Sequence, residues 1–396
     1  MAKKIFKGLA LFLLAFVIFS AALTGTYEAI IPSSVSCYAS SELPAYPLVS
    51  SCDVSDTSTL LPSSVSYKLY GIIPLKSVSV NKEDELMLYP GGMPFGVKFI
   101  TEGVLVVGFC DVVSGNDTKN PSEDAGLKIN DLIIKVNGTQ ITGAAELTRI
   151  VEESGGNSIT LTYLRDGKEY ETRLSPAYSA AESKYKTGIY VRDSGAGIGT
   201  VTFIVPGSYA FGGLGHGICD SQTGKLIPMQ RGSVVGVTIS GVVKGLAGSP
   251  GEVKGYFSSG KTGTLLGNTD CGVYGVFAAK PSSIHCEPVP VAKRNEVKEG
   301  KAYIYCTLGA GSVSKYEIEI CNINREADGN KCFTVKVTDP ALIEKSGGII
   351  QGMSGSPIIQ NGKLVGAVTH VLINDPATGY GIFIDNMLNQ MGDLAR

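Results

Sequence analysis

The amino-acid sequence predicts a mainly β protein, and three features carry that prediction. The 396 residues include 50 glycines, which supply the positive φ angles that tight β turns require. Runs rich in Val, Ile and Thr recur between turn residues, as is typical of strands. Long helical patterns are scarce beyond the N-terminus. A chain of this length has room for two or three packed domains.

Charge and residue spacing exclude two classes of function. The formal net charge is −2 and no basic cluster occurs beyond the N-terminus, so we expect no nucleic-acid partner. His216, His285 and His370 are far apart and none lies in an HExxH motif, and the nine cysteines form no CxxC pair. We therefore predict neither a metal site nor a cofactor, and we favour free, buried thiols.

The N-terminus has the features of an export segment. Three lysines in the first seven residues precede an apolar run from Leu9 to Leu23. The run suits a signal-peptide core, but an uncleaved membrane anchor is also compatible with it. For residues 1–26 both readings stay open, and in either case we expect the body of the protein to lie outside the cytoplasm.

A flexible linker with leading strands is predicted over residues 27–85. Its first part is rich in serine and proline and carries few charges, a composition typical of linkers. The later stretch YKLYGIIPLKSVSV is compatible with a strand that leads into the next module.

A compact α+β module is predicted over residues 86–176. The segment AGLKINDLIIKVNG resembles the PDZ family, and a helix over Ala144–Glu153 and a hairpin across Asp166-Gly167 complete the pattern. The resemblance implies a groove in which an extended peptide adds as a strand. The same apolar residues could instead be ordinary core. The predicted groove-lining residues are Met93, Phe95, Gly96, Val97, Phe99, Leu147 and Ile150.

The third section, residues 185–396, contains the stretch GMSGSP, which has the GxSGxP pattern of chymotrypsin-like serine peptidases. A nucleophilic serine needs an exposed hydroxyl on a tight turn, and glycines permit that backbone path. The backbone N–H groups of Gly352 and Ser354 could then converge as an oxyanion hole. A strand hairpin around Asn361-Gly362 would hold this loop rigid. A glycine-serine turn without chemistry is the alternative.

His216, within FGGLGHGICD, is the first candidate for the general base. Glycines surround it, so little side-chain bulk blocks approach to the imidazole. A lone histidine is more often structural, and His370 in the strand GAVTHV is an alternative base close to the expected cleft.

Larger segments bring a closer resemblance. GHGICD and the stretch from VTDPALIEKSGG through GMSGSP to IFIDNML, with the PDZ module and the N-terminal segment, resemble the stage IV sporulation protein B family of serine peptidases. The resemblance implies a chymotrypsin-like double β-barrel, with Ser354 as nucleophile, His216 as base and Asp339 as the orienting acid. Asp270 and Asp220 remain alternatives for the acid, because many chymotrypsin-like enzymes place it in the first barrel.

The family resemblance also implies a biological role. It implies a signalling endopeptidase in the space between forespore and mother-cell membranes. There it would cleave itself and an extracytoplasmic region of a membrane regulatory complex, which triggers sigma-factor maturation in the mother cell. The PDZ module would bind peptide tails of the protein itself or of its partners.

Two other functions stay open at this stage. One is a PDZ-based scaffold that has lost peptidase activity. The other is an extracytoplasmic quality-control protease, although such enzymes usually place the peptidase before the PDZ module and this chain has the reverse order.

Overall fold

A computed structural model describes residues 2–37, 46–54, 64–82, 85–115, 117–284, 286–309 and 312–392. His285 therefore lies outside the described residues. The chain divides into two compact units, residues 1–86 and residues 87–396.

The first unit begins with a long apolar helix, α1, over Ala2–Ile30. Its segment Phe6–Ile30 has a mean hydropathy of 2.3 and lies almost entirely exposed. At about 1.5 Å per residue, that segment is long enough to cross a hydrocarbon layer of about 30 Å. The helix is therefore suited to be a signal segment or a membrane anchor.

A four-stranded sheet follows where the sequence predicts a flexible linker. Its strands, in the order β1-β4-β3-β2, are β1 (Ser34–Cys37), β2 (Val49–Val54), β3 (Ser64–Leu69) and β4 (Ile73–Lys82). In β3, the side chains of Val65, Tyr67 and Leu69 are buried and alternate with partly exposed residues. Serines at the alternate positions conceal this period-two pattern in the composition. The connecting residues 38–45 and 55–63 lie outside the described residues.

The second unit opens with the region that the sequence assigns to the PDZ module. Its elements are β5 (Met87–Pro90), β6 (Pro94–Phe109), β7 (Val112–Ser114), β8 (Asp117–Lys119), α2 (Pro121–Asp124), β9 (Leu132–Val136), β10 (Thr139–Gln140), α3 (Ala144–Glu153), β11 (Ile159–Arg165) and β12 (Lys168–Leu174). Strands β12, β11, β9 and the second half of β6 are neighbours in one antiparallel sheet. Helix α3 packs Leu147 and Val151 into the core of this module.

Two predicted features of this module are confirmed. The helix predicted over Ala144–Glu153 is α3. The Asn137-Gly138 turn between β9 and β10 and the Asp166-Gly167 turn between β11 and β12 have positive φ at all four residues. Because asparagine, aspartate and glycine tolerate that region best, these dipeptides fix the register of both hairpins.

The strands that follow contribute to a first barrel. The elements are β13 (Ala177–Ser179), β14 (Lys184–Lys186), β15 (Ile189–Ile204), β16 (Ala210–Gly213), β17 (Arg231–Val243), β18 (Glu252–Thr269), β19 (Gly272–Phe277) and β20 (Val289–Pro290). Strands β15 to β19 join the barrel, whereas β13 and β14 form a separate two-stranded sheet and β20 pairs with β5. Pairing runs from β6 through β17, β18, β19, β16 and β15, and β15 pairs again with β6. Six strands therefore close on themselves.

A second barrel completes the chain. After a short 3₁₀ helix (Arg294–Glu296), its elements are β21 (Gly300–Cys306), β22 (Ser314–Cys321), β23 (Phe333–Val337), α4 (Pro340–Ser346), β24 (Pro357–Gln360), β25 (Lys363–Leu372), β26 (Asp375–Phe383) and α5 (Ile384–Met391). The strands close in the order β21-β22-β23-β26-β25-β24. The predicted turn at Asn361-Gly362 joins β24 to β25 with positive φ at both residues.

The predicted fold class is confirmed: the chain is mainly β, with two six-stranded barrels and an α+β module before the peptidase region. One strand, β6, belongs to both of the domains that the sequence separates at residue 176. The first half of β6 pairs with β17 in the first barrel, whereas the second half pairs with β9 in the α+β module. The module is therefore continuous with the barrel through β6.

Candidate active site

Ser354 lies on a tight loop between the bridge at Gln351 and strand β24. Gly352 and Gly355 have φ angles of +97° and +94°, in the region that favours glycine. A Cβ on Gly355 would lie 2.0 Å from the Thr200 carbonyl oxygen. The loop therefore needs glycine at residue 355 both for its backbone angle and for its close contact with the first barrel.

Strand β15 of the first barrel holds this loop in place. The Thr200 hydroxyl donates to the Gly352 carbonyl at 2.7 Å, and the Thr200 N–H donates to the Ser354 carbonyl at 3.0 Å. The Thr202 hydroxyl donates to the Gly355 carbonyl at 2.8 Å. The sequence reasoning missed both threonines. Their spacing of two in a buried apolar strand, which puts both on one face, was the available signal.

The N–H groups of Gly352 and Ser354 make none of the hydrogen bonds recorded among the described residues, whereas those of Met353 and Gly355 are bonded to the Ile350 and Val368 carbonyls. Unbonded N–H groups beside the serine are what an oxyanion hole requires. The geometry is thus compatible with the predicted pair of donors.

His216 follows the end of β16, where Leu214 and Gly215 both have positive φ. Its Nδ1 lies 2.9 Å from the Gly217 carbonyl oxygen. A carbonyl only accepts, so Nδ1 carries the proton and Nε2 is left as the basic nitrogen. Burial lowers the pKa of His216 below its ordinary value, and the bond to Gly217 opposes that shift. His216 is therefore neutral at neutral pH, as a general base must be.

His370 lies beside His216. It belongs to β25, and the two imidazole ring centroids are 4.8 Å apart. Burial, together with the neighbouring His216 and Lys331, lowers the pKa of His370 to about 4. Its Nδ1 is buried and has no hydrogen-bond partner. The two histidines thus form a neutral pair at neutral pH.

The Ser354 hydroxyl donates to the backbone carbonyl of Thr369 at 2.7 Å. A rotation about the Ser354 side-chain bond would release this hydrogen bond. In the orientation that the structure shows, the hydroxyl proton is therefore directed at the Thr369 carbonyl.

None of the three candidate acids makes a recorded hydrogen bond to His216. The Asp339 carboxylate accepts from the N–H groups of Ala341, Leu342 and Glu317, and it caps α4. Capping of this kind is a structural role. The structure therefore does not bring the predicted acid to the base, and the Gly217 carbonyl is the group that orients the imidazole.

Asp220 and Asp270 are also engaged elsewhere or exposed. Asp220 is buried, caps its own turn through the N–H groups of Gln222 and Thr223, and lies 3.0 Å from Arg192. Burial alone would raise the pKa of Asp220, but these contacts together lower it. The side chain of Asp270 is exposed at the surface.

A cleft of about 480 Å³ brings the site together. His216 and Gly199 line it from the first barrel, and Gly352, Ser354 and His370 line it from the second. A larger cavity of about 690 Å³ is lined by residues of β6, β17 and the segment Phe277–Ser283 and contains neither a histidine nor Ser354. The smaller cleft is therefore the one that contains the predicted nucleophile and base.

The predicted groove-lining residues fall into two separate cores. Met93, Phe95, Val97 and Phe99 are buried in the core of the first barrel, whereas Leu147 and the partly buried Ile150 belong to the core of the α+β module. A Cβ on Gly96 would lie 2.5 Å from the Phe257 ring. The structure does not bring these seven residues together as one groove.

The strand that lies beside α3 is instead the first half of β15. It pairs with the second half of β6, where Ile189 faces Phe109 and Arg192 faces Leu105. The Asp193 carboxylate then accepts from the N–H of Ala144 at the first turn of α3, at 2.9 Å. The PDZ resemblance had implied that the strand containing residues 96–99, in the first half of β6, lies at this position.

Comparisons with known proteins agree with this architecture. A family model described as SpoIVB peptidase S55 matches residues 183–388, which is more than half of the chain. A PDZ domain model matches residues 91–175. The region that contains His216 and Ser354 and the α+β module thus match two separate families.

One curated relative is a probable periplasmic serine protease do/HhoA-like from Haemophilus influenzae. It is 42% identical over 57 residues, which cover 14% of this chain and only 12% of the relative. So short a match bears on one segment and not on the whole relative.

Two solved structures match parts of the chain. The Rv3671c protease of M. tuberculosis, in its inactive form, is 16% identical, with 49% of this chain and 84% of that chain covered and a TM-score of 0.27. The PDZ domain of an SdrC-like protein from Listeria monocytogenes is 19% identical, with 23% and 87% covered and a TM-score of 0.19. TM-scores this low carry no argument about function.

The serine loop, the neutral histidine opposite it and the family match over residues 183–388 lead to one identification. The chain belongs to the SpoIVB peptidase S55 family and is a serine peptidase with a PDZ domain.

Proposed function

We propose that this peptidase is an endopeptidase that uses Ser354 as nucleophile and His216 as general base, and that it acts in sporulation signalling outside the cytoplasm. The observation that carries the chemical part is the cleft between the barrels. There Ser354, with unbonded N–H groups beside it, and His216, with its Nε2 unprotonated, line one cavity.

The proposed reaction follows from these groups. The Ser354 hydroxyl turns from the Thr369 carbonyl toward Nε2 of His216, gives up its proton and attacks the peptide carbonyl carbon. The N–H groups of Gly352 and Ser354 stabilise the oxyanion. The imidazolium then returns the proton to the leaving amine, and water activated by the same Nε2 releases the acyl group from Ser354.

The Gly217 carbonyl takes the tautomer-fixing part that a carboxylate has in a Ser-His-Asp triad. A carbonyl is a weaker partner for an imidazolium than a carboxylate, because it carries no full charge. The proposed site is thus a dyad with a backbone orienter. Asp339, Asp220 and Asp270 remain alternatives that mutation can test.

The signalling role is supported by the family and by the N-terminal helix. We propose that α1 exports the protein or anchors it to a membrane, and that the body lies between the forespore and mother-cell membranes. In this proposal the enzyme cleaves itself and an extracytoplasmic region of a membrane regulatory complex, which allows sigma-factor maturation in the mother cell. Its PDZ domain binds peptide tails of these substrates.

The test of the chemistry uses the full chain in detergent, as wild type, Ser354→Ala and Ser356→Ala, with mass spectrometry of new N-termini over time. Ser356 is a matched control because it lies on the same loop, and its buried hydroxyl has no hydrogen-bond partner. We expect self-cleavage in the wild type and in Ser356→Ala but not in Ser354→Ala. Intact chains in all three would contradict self-cleavage and favour a scaffold.

The test of the signalling role is complementation in an endospore-forming host that lacks its own copy of the gene. We expect the wild type and Ser356→Ala to restore spores and sigma-factor processing on an immunoblot, and Ser354→Ala to restore neither. Restoration by Ser354→Ala would show that the role needs the protein but not its catalysis.

A further inference from the structure

The catalytic cleft has walls without charge. None of its lining residues, all within the described ranges, is Asp, Glu, Lys or Arg. Apart from His216, His370, Ser354 and a few small or polar groups, the walls are aliphatic. The aliphatic lining residues are Val97, Ile198, Leu214, Ile218, Pro250, Ile349, Ile350, Val371 and Ile373.

Among the described residues, three of these lining residues, Ile198, Pro250 and Ile373, belong to no hydrophobic core cluster, and the two isoleucines are the larger of them. Ile198 on β15 is half-buried and Ile373, just after β25, is 55% exposed. Neither packs against a hydrophobic cluster, whereas Ile349 and Ile350 are buried in the core of the second barrel. Ile198 and Ile373 therefore expose apolar surface to the cleft from its two opposite sides.

Strand β25 offers an edge to an extended chain beside these residues. On the side of the nucleophile loop, the backbone pairing of β25 ends with the bonds between Val368 and residues 355 and 356. On the other side, β25 stays paired with β26 as far as Leu372. The Ile373 carbonyl accepts from the Gly248 N–H, so the backbone of residues 370–372 is the part that can accept a substrate in β conformation. A substrate bound there has its side chains between Ile198 and Ile373.

Binding in this cleft should be favourable for an apolar substrate side chain and unfavourable for a charged one. Burial of apolar area is favourable by about 25 cal/mol per Å², whereas an ion moved from water into an uncharged cleft loses hydration without a counter-charge. A trypsin-like preference requires a carboxylate in the pocket, and this cleft has none.

We propose that the cleft selects substrates by an uncharged, apolar side chain next to the cleaved bond, and that Ile198 and Ile373 determine this preference. This inference rests on the proposed function, because it assumes that Ser354 cuts peptides in this cleft.

The first experiment maps cleavage sites without knowledge of the natural substrate. The full-length protein in detergent is incubated with a library of peptides from a digested proteome, and new termini are identified by mass spectrometry, with Ser354→Ala as background. We expect Leu, Ile, Val, Met or Phe to be enriched about tenfold or more beside the cut bond, and Asp, Glu, Lys and Arg to be depleted.

The two possible failures give different results. If no cut depends on Ser354, the proposed function fails. If Ser354-dependent cuts occur with charged residues as frequent beside the bond as in the library, the function stands and the inference about specificity is overturned.

The second experiment introduces one negative charge into the cleft and measures the change in cleavage preference. Ile198→Glu and Ile373→Glu are profiled with the same library, and Ile129→Glu serves as matched control because Ile129 is also an exposed isoleucine, at 46%, but lies in the PDZ domain. We expect the first two to lose about 10-fold or more at apolar sites and to gain cuts beside Lys or Arg. Ile129→Glu should keep the wild-type profile.

The exposed position of Ile373 keeps the test decisive if Ile198→Glu fails to fold. A folded Ile373→Glu enzyme, with an unchanged thermal unfolding midpoint and an unchanged cleavage profile, would show that this side chain does not determine specificity and would overturn its assignment.

Discussion

The two barrels differ in how they are assembled from the chain. The second barrel uses one continuous stretch, from β21 at Gly300 to β26 at Phe383, and closes on itself. The first takes β6 from before most of the PDZ domain and β15 to β19 from after it. The proposed nucleophile therefore lies in a self-contained barrel, and the proposed base lies in a barrel that is continuous with the PDZ domain.

This difference shows that the site depends on long-range support. The serine loop is local to the second barrel, but its carbonyls are held by Thr200 and Thr202, which lie about 150 residues earlier on β15. The same strand reaches α3 through Asp193. Substitutions of these threonines should therefore impair catalysis, although their side chains do not contact the reacting atoms.

The largest expected effect is a difference in kcat between substitutions of His216, in the first barrel, and of His370, in the second. His216→Ala removes the base and should lower kcat by about 10⁴-fold or more, whereas His370→Ala should lower it less, because the unprotonated Nε2 of His216 remains. Steady-state kinetics on a peptide identified from the library decides this. A larger loss for His370→Ala than for His216→Ala would reverse the assignment of the base.

The next effect tests the support from β15. Thr200→Val removes the hydroxyl that holds the Gly352 carbonyl and leaves a carbonyl beside the oxyanion donors without its partner. We expect kcat to fall by about 10- to 100-fold with little change in KM, because a shifted Gly352 would misplace an oxyanion donor that acts on the transition state. Thr200→Ser keeps the hydroxyl and should restore most of the rate. Equal losses in both variants would argue against the hydrogen bond.

A smaller effect is expected at Asp339. Asparagine keeps the side-chain oxygen that caps α4, so Asp339→Asn should lower kcat by less than about tenfold if the residue is only a cap. A loss of about 10⁴-fold, as for the aspartate of a Ser-His-Asp triad, would instead return Asp339 to the catalytic machinery. Circular dichroism of the variant would exclude unfolding as the cause.

The smallest effect concerns pH and His370. In the unfolded chain His370 takes up a proton near its ordinary pKa of 6.5, but in the folded protein only near 4. Its contribution to the free energy of unfolding is therefore present above pH 6.5 and is lost as the pH falls toward 4. Urea unfolding at pH 7, 5.5 and 4 should show a smaller decline of the midpoint for His370→Gln. Parallel curves for wild type and variant would contradict the lowered pKa.

The sequence was sufficient where the determinant is local. The turns at Asp166-Gly167 and Asn361-Gly362, helix α3 and the glycines around Ser354 all follow from residue types within a few positions of one another. The double-barrel fold was implied by the family resemblance and is confirmed.

The sequence was insufficient where strands that are far apart along the chain meet. The continuation of β6 across a domain boundary and its pairing with β15 depend on contacts between segments far apart in sequence. The capping of α4 by Asp339 is local, but the family resemblance assigned that residue as the acid. The sheet at Ser34–Lys82 was predicted only in part, as a strand in YKLYGIIPLKSVSV, because the serine-rich composition concealed alternating burial.

The most direct measurement of the central claim is active-site labelling with diisopropyl fluorophosphate, which phosphorylates an activated serine with loss of fluoride. The full chain is treated as wild type, His216→Ala and Ser356→Ala, and the adduct is located by peptide mass spectrometry. Activation of Ser354 by His216 predicts one adduct, on Ser354, formed rapidly in the wild type and in Ser356→Ala and at a greatly reduced rate in His216→Ala. An adduct on another residue, or one formed at the same rate without His216, would contradict the assignment.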